Sequence, residues 1–188
     1  MPAAAPKLII GLGNPGPDYE RTRHNVGFRV AEAVGAAHGI RVAKRKAKAL
    51  VGEGEIAGRR VVLAKPMTYM NNSGRAAAAL IEQYGCPLED MLVVCDDFNL
   101  ELGVVRARRA GSSGGQKGLA SIVEALGTQE FARLRIGIGP LKGDPVEFVL
   151  TGFKRSETPH MEEAIDRAAA ACAVWVADGI GACMNAFN

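Results

Sequence analysis

The 188-residue chain holds three histidines, His24, His38 and His160, and only His24 lies in a polar, proline-fixed loop rather than within or beside an expected helix. A neutral imidazole in such a loop can take a proton from water near neutral pH, provided that a partner holds its other nitrogen. The run Val93-Val94-Cys95-Asp96-Asp97-Phe98-Asn99-Leu100 offers that partner, because it puts two carboxylates, Asp96 and Asp97, just past an apolar strand. That is where an α/β fold presents functional groups. A carboxylate that accepts from the imidazole fixes its tautomer and stabilises the imidazolium formed on proton transfer. No Gly-x-Ser-x-Gly nucleophile elbow and no matching Cys-His motif is expected, so the nucleophile is water. The oxyanion formed at an attacked carbonyl needs a donor, and a side-chain amide on a stiff loop can be aimed at it in advance.

Such a loop lies in the run from Leu8 to Phe28, where apolar Leu8-Ile9-Ile10 is followed by Gly11-Leu12-Gly13-Asn14-Pro15-Gly16-Pro17 and then by His24-Asn25. The glycines spell the G-x-G-x-x-G pattern of dinucleotide-binding turns. Context argues against that reading. Pro15 and Pro17 remove N–H groups that should face a pyrophosphate, and no acidic residue ends a second strand about 20 residues on.

The elements that must carry these groups follow from periodicity. Residues 7–12 read as a buried strand and 25–38 as a helix, with Val26, Val30, Ala33, Val34 and Ala37 on one face and Gly39 ending it. Residues 49–56 and 60–65 form an antiparallel hairpin through Ala57-Gly58-Arg59, which makes the sheet mixed. Ser73 caps a helix over 74–84, Met91 to Cys95 is a strand, and Val104 to Arg108 alternates as an edge strand does. After a flexible loop at Gly111 to Gly115 come a helix over 115–126, a strand at Leu134 to Ile138 and a helix from Pro159 to Asp178 with Thr158 as N-cap. The expected fold is a single three-layer α/β/α domain over 1–188 with a twisted mixed β-sheet, residues 1–6 forming a disordered tail.

Composition fits that size, with 48% hydrophobic and 23% charged residues. The N-terminal segment lacks a basic leader and no run approaches the roughly 20 apolar residues of a spanning helix, so the expected location is cytoplasmic. Cys86, Cys95, Cys172 and Cys183 show no metal-ligating spacing and read as buried free thiols. A net charge of +3 does not by itself announce a nucleic-acid partner. Arg41, Lys44, Arg45, Lys46 and Lys48 read as a solvated surface, while Arg106, Arg108, Arg109, Lys117, Arg133 and Arg135 spread over a second basic region.

The segment from Leu8 to Phe28, together with Lys65-Pro66-Met67-Thr68-Tyr69-Met70-Asn71-Asn72-Ser73-Gly74 and the Asp96 region, resembles the bacterial-type peptidyl-tRNA hydrolase family over residues 7 to about 185. The resemblance implies cleavage of the ester between a peptide, or an N-blocked amino acid, and the 3′-terminal ribose of tRNA, with no metal and no cofactor. Aligned on Gly103, the family's catalytic aspartate falls on Asp96. Asn14 stands at the oxyanion donor, Asn71 at the residue that binds peptide backbone and positions the water, and Met70 and Tyr19 line the site. Arg106, Arg108 and Arg133 match places where the family carries basic residues that grip phosphate at the 5′ end of the acceptor stem. Arginine suits that bidentate task. Residues 140–152 resemble a mobile cover over the substrate channel. The implied partner is peptidyl-tRNA, through its acceptor stem, 3′ CCA end and nascent peptide, bound by a monomer away from any membrane.

The likeness departs at Gly114-Gly115-Gln116-Lys117-Gly118, where the family has Gly-Gly-His-Asn-Gly. Lys117, placed among the substrate-binding residues, cannot accept a hydrogen bond, though its ammonium can donate. The expectation is retained hydrolysis with altered rate or pH dependence. The alternative is a catalytically weakened RNA-binding relative, of the kind that acts in splicing. Retention of His24 and Asp96 argues against it.

Overall fold

The computed structural model describes residues 3–188, and Met1 and Pro2 of the expected tail lie outside the described residues. Within the rest of that tail, Ala3 to Ala5 are exposed, whereas Pro6 is buried. The continuous burial of Leu8, Ile9 and Ile10 has a simple cause: strand β1 (Lys7–Gly11) is the middle one of seven and is covered on both faces. Around it stand β2 (Lys44–Lys46), β3 (Ala49–Ile56), β4 (Arg59–Pro66), β5 (Met91–Glu101), β6 (Val105–Arg108) and β7 (Ala132–Gly139). Their order is β2-β3-β4-β1-β5-β7-β6. The four central strands run parallel, and β2, β3 and β6 are antiparallel to their neighbours, so the sheet is mixed as expected.

Alternation along β1 divides the core in two. Ile9 packs with helices α1 (Val26–His38) and α5 (Thr158–Phe187), whereas Leu8 and Ile10 pack with α2 (Ser73–Tyr84) and α3 (Lys117–Leu126). These are the three expected layers. The N-terminus of α1 lies against the ends of β1 and β5 because residue 27 has no side chain: a Cβ there would come within 2.5 Å of the carbonyl oxygens of Leu12 and Val94. That approach brings the turn before α1 over the acidic end of β5.

Several elements differ from expectation. Ser73 lies inside the first turn of α2, its hydroxyl donating to the Met70 carbonyl at 2.7 Å, so it is not the cap. Glu157 rather than Thr158 occupies the N-cap of α5. Strand β5 continues six residues past Cys95 because β7 supplies a partner as far as Glu101. The basic run at 44–46 becomes an edge strand, and residues 140–152 contain a short helix, α4 (Pro145–Val149), whose cap Asp144 accepts from the Glu147 N–H at 3.0 Å. Helix α5 extends to Phe187 and, against the reading of no spanning run, is long and apolar enough by length and mean hydropathy to cross a membrane. Its Trp175 and Cys172 are nonetheless buried under the sheet, and its backbone breaks at Gly179. It is a core helix. All four cysteines are free and buried, and burial raises the thiols of Cys86 to about 12 and Cys183 to about 11.

Candidate active site

A cavity of about 460 Å³ opens at the C-terminal ends of β1 and β5, lined by Asn14, Tyr19, His24, Met70, Asn71, Asp96 and Lys117 among others. Seven of the ten sequence-derived site residues therefore meet at one place. Neither Arg106, Arg108 nor Arg133 lines it.

His24 sits in a single 3-10 turn (Arg23–Asn25) ahead of α1, and its Nδ1 meets Asp96 Oδ2 at 2.8 Å, with both residues buried. A carboxylate can only accept, so Nδ1 carries the hydrogen and Nε2 keeps its lone pair. Asp96 comes from the last buried stretch of β5, where strand alternation separates it from Asp97. Asp97 turns elsewhere, pairing with Arg135 at 3.3 Å and accepting from the Asn99 N–H at 2.8 Å. Of the two carboxylates that composition alone left open, the one facing the imidazole is Asp96.

The loop carrying Asn14 is fixed by Asn25, which accepts from the Asn14 N–H and donates to the Asn14 carbonyl, both at 2.9 Å. The side chain is fixed as well. Asn14 Oδ1 accepts from the Met70 N–H at 2.7 Å, which settles the amide orientation and leaves Nδ2 without a protein acceptor among the described residues. Met70 is buried and Asn71 exposed in the next 3-10 turn (Met70–Asn72), and Tyr19 forms an edge-to-face pair with Tyr69, centroids 6.3 Å apart.

Sequence reasoning passed over several groups. Gln116, at the N-cap of α3, accepts from the Leu119 N–H at 2.7 Å and donates to Asp96 Oδ1 at 3.0 Å. Its place between a Gly-Gly pair and a helix is a cap position, which is the signal that would have found it. Tyr69 adopts a φ of 63° and is half exposed at the cavity mouth; nothing in a side-chain pattern announces that backbone state. Phe98 and, from α4 and its end, Pro145, Val146, Val149 and Leu150 complete the wall.

Two corrections concern the basic region and the serines. Arg133 is completely buried, its guanidinium donating to the carbonyls of Phe131, Ser112 and Gln129 at 3.0–3.1 Å and stacking on Phe131, so it holds loops together and is not presented to a phosphate. Burial first, then the charge of Arg135, lowers its pKa. Arg108 is exposed and Arg106 partly so on edge strand β6, with Arg106 bordering a separate groove beside His160 and Arg167. Gly111-Ser112-Ser113-Gly114-Gly115 does spell Gly-x-Ser-x-Gly, contrary to the sequence reading. Its Ser113 carbonyl accepts from Arg135, and the residue is not part of the cavity wall, so no elbow exists there.

Residues 8–188 match the family model described as peptidyl-tRNA hydrolase. The chain is 49% identical over 182 residues to a peptidyl-tRNA hydrolase of Desulforudis audaxviator, covering 97% of this chain and 93% of that one. It is 45% identical to one of Syntrophomonas wolfei, covering 97% and 100% respectively. Among solved structures, a crystal structure of peptidyl-tRNA hydrolase from Acinetobacter baumannii superposes with a TM-score of 0.91 at 36% identity, covering 97% of this chain and 94% of the other.

Proposed function

The chain belongs to the peptidyl-tRNA hydrolase family, and from that premise we propose how its cavity cleaves the ester between a peptide and tRNA. It is an ester hydrolase acting on peptidyl-tRNA. The observation that carries the mechanism is the His24–Asp96 pair at 2.8 Å in a cavity where apolar walls from Tyr19, Met70, Phe98 and α4 meet the amides of Asn14 and Asn71. His24 Nε2 takes a proton from water, and the hydroxide attacks the ester carbonyl. Asp96 keeps the tautomer and steadies the imidazolium. Asn14 Nδ2, held by the Met70 N–H on the other end of its amide, donates to the oxyanion. Collapse of that intermediate expels the ribose oxygen, which takes the proton back from His24. The peptide leaves as a carboxylate.

Tyr19 and Met70 form adaptable walls for the acyl side chain, and Asn71 engages peptide backbone. Lys117 stands exposed at the first turn of α3, on the cavity wall, where its ammonium favours a phosphodiester of the 3′ CCA end. Arg106 and Arg108 extend the positive surface along β6 toward the acceptor stem, binding phosphate rather than sequence. The enzyme works as a single-domain monomer in the cytoplasm, recycling tRNA from prematurely released peptides. The RNA-binding alternative has no observation in its favour while the base, its carboxylate and the amide donor are all in place.

The test is single-turnover cleavage of N-acetyl-aminoacyl-tRNA by the intact protein and by Asp96→Asn. An asparagine keeps the shape but inverts the hydrogen-bond demand on Nδ1, so the rate should fall by roughly 10³-fold or more. An Asp96→Asn protein as fast as the intact one overturns this assignment.

A further inference from the structure

Arg23 is the residue immediately before the base, and almost none of it reaches solvent: it is 4% exposed. Its guanidinium is shared among three parts of the fold. Nε donates to Thr151 Oγ1 and Nη1 to the Ile138 carbonyl, both at 3.3 Å, and Nη2 meets Glu157 Oε2 at 2.8 Å. The guanidinium carbon lies 4.7 Å from the ring of Phe148 and 4.9 Å from that of Phe153. The backbone repeats the connection, since the Arg23 N–H donates to the Thr151 carbonyl at 2.9 Å and Thr22 forms an isolated antiparallel bridge with Gly152.

Phe148 belongs to α4, and Thr151, Gly152 and Phe153 follow directly on its end, so these contacts hold α4 and the segment after it. That helix has five residues, too few to hold its own position through internal hydrogen bonds. Val146 and Val149, with Leu150 beyond its end, face the cavity, whereas Phe148 faces Arg23. The wall over the substrate therefore rests on the residue peptide-bonded to His24. A wall needed only for stability could be packed with apolar side chains, without the cost of burying a cation. A guanidinium with partners on α4, β7 and the start of α5 does something apolar packing does not: it makes the place of the turn depend on the place of the wall.

We infer that Arg23 is a positioning residue that couples the α4 wall to His24, so that an acyl group filling the cavity beneath Val146 and Val149 sets the imidazole for attack. The substrate class favoured in this way is the ester whose acyl residue carries a large apolar side chain, over one that leaves the wall untouched. This rests on the hydrolase reading above.

The experiment compares kcat and KM of the intact protein and Arg23→Lys on N-acetylphenylalanyl-tRNA and N-acetylglycyl-tRNA, with thermal melts to confirm folding. Lysine keeps the charge but as a single point that cannot meet three acceptors at once. The intact protein should turn over the phenylalanyl substrate faster. Arg23→Lys should lose roughly tenfold in kcat on that substrate, with KM nearly unchanged and the glycyl rate within about twofold, because small misplacements of a catalytic group are costly. Phe148→Leu, which alters the other side of the same contact, should narrow the preference likewise and serves if Arg23→Lys does not fold. Equal loss on both substrates, or no preference in the intact protein, overturns the coupling while leaving hydrolysis intact. Failure of the intact protein to cleave either substrate overturns the hydrolase reading and the coupling with it.

Discussion

Gln116 donates to Asp96 Oδ1 at 3.0 Å, so the carboxylate that receives His24 on one oxygen is held by an amide on the other. The amide is fixed in turn, because its own oxygen accepts from the Leu119 N–H. The catalytic pair is thus anchored to the first turn of α3. Gln116→Leu should keep the packing and release one carboxylate oxygen, costing about 1.5 kcal/mol, or roughly tenfold in kcat. Steady-state kinetics of the folded variant checks this; an unchanged kcat contradicts it.

Asn14 permits a cleaner separation of donor from scaffold. Since Oδ1 already accepts from the Met70 N–H, Asn14→Asp keeps that acceptor and replaces the donor aimed at the oxyanion with a carboxylate oxygen whose negative charge opposes it. The expected outcome is a loss of at least about 10² in kcat, read on the folded variant by steady-state kinetics; an unchanged kcat contradicts the donor role.

Arg108 and Arg133 should behave oppositely. Arg108→Gln removes an exposed charge from β6, so affinity for tRNA should weaken and the slope of log affinity against log salt should fall by about one. Arg133→Gln strands the buried carbonyl of Phe131, frees the Ser112 and Gln129 carbonyls to water, and should cost about 2 kcal/mol of stability. Urea titration and salt-dependent tRNA binding distinguish the two effects.

Glu157 gives a pH dependence. Burial alone would raise its carboxyl, but the Lys154 N–H and the Arg23 guanidinium outweigh burial and hold it below its ordinary value of 4.5. A depressed carboxyl stabilises the fold above that value, and the contribution is lost as pH falls from 4.5 through the lower folded-state value. Glu157→Gln should therefore be less stable than the intact protein at pH 7, with the gap closing in acid. Melting temperatures across that range test the sign; a gap that widens in acid contradicts it.

Much of this was legible from residue types. The apolar run at 8–10, the hairpin around Gly58 and the helical spacing from Val26 to Val34 fix the layers because periodicity reports burial directly, although Ala37, expected on the same face, is exposed. His24 could be singled out as the one histidine in a proline-fixed loop, and a carboxylate past a buried strand as its partner, whereas the choice of Asp96 over Asp97 and the role of Asn14 came from the family resemblance. Arg133 was misread, since a basic residue in a strand looks the same in sequence whether it faces a phosphate or three carbonyls. Gln116 and Tyr69 were passed over for different reasons: the amide acts through a long-range contact twenty residues from Asp96, and the tyrosine through a backbone angle. The end expected for α5 at Asp178 coincides with the backbone break at Gly179, and the turns beyond it to Phe187 were missed because Gly179 and Gly181 read as a helix stop.

The most direct measurement is release of N-acetyl-amino acid from N-acetyl-aminoacyl-tRNA by the intact protein beside His24→Ala. The account predicts rapid release by the intact protein and loss of nearly all of it in the variant, with tRNA binding retained in both. Release at an undiminished rate by His24→Ala, or none by the intact protein while tRNA still binds, would contradict it.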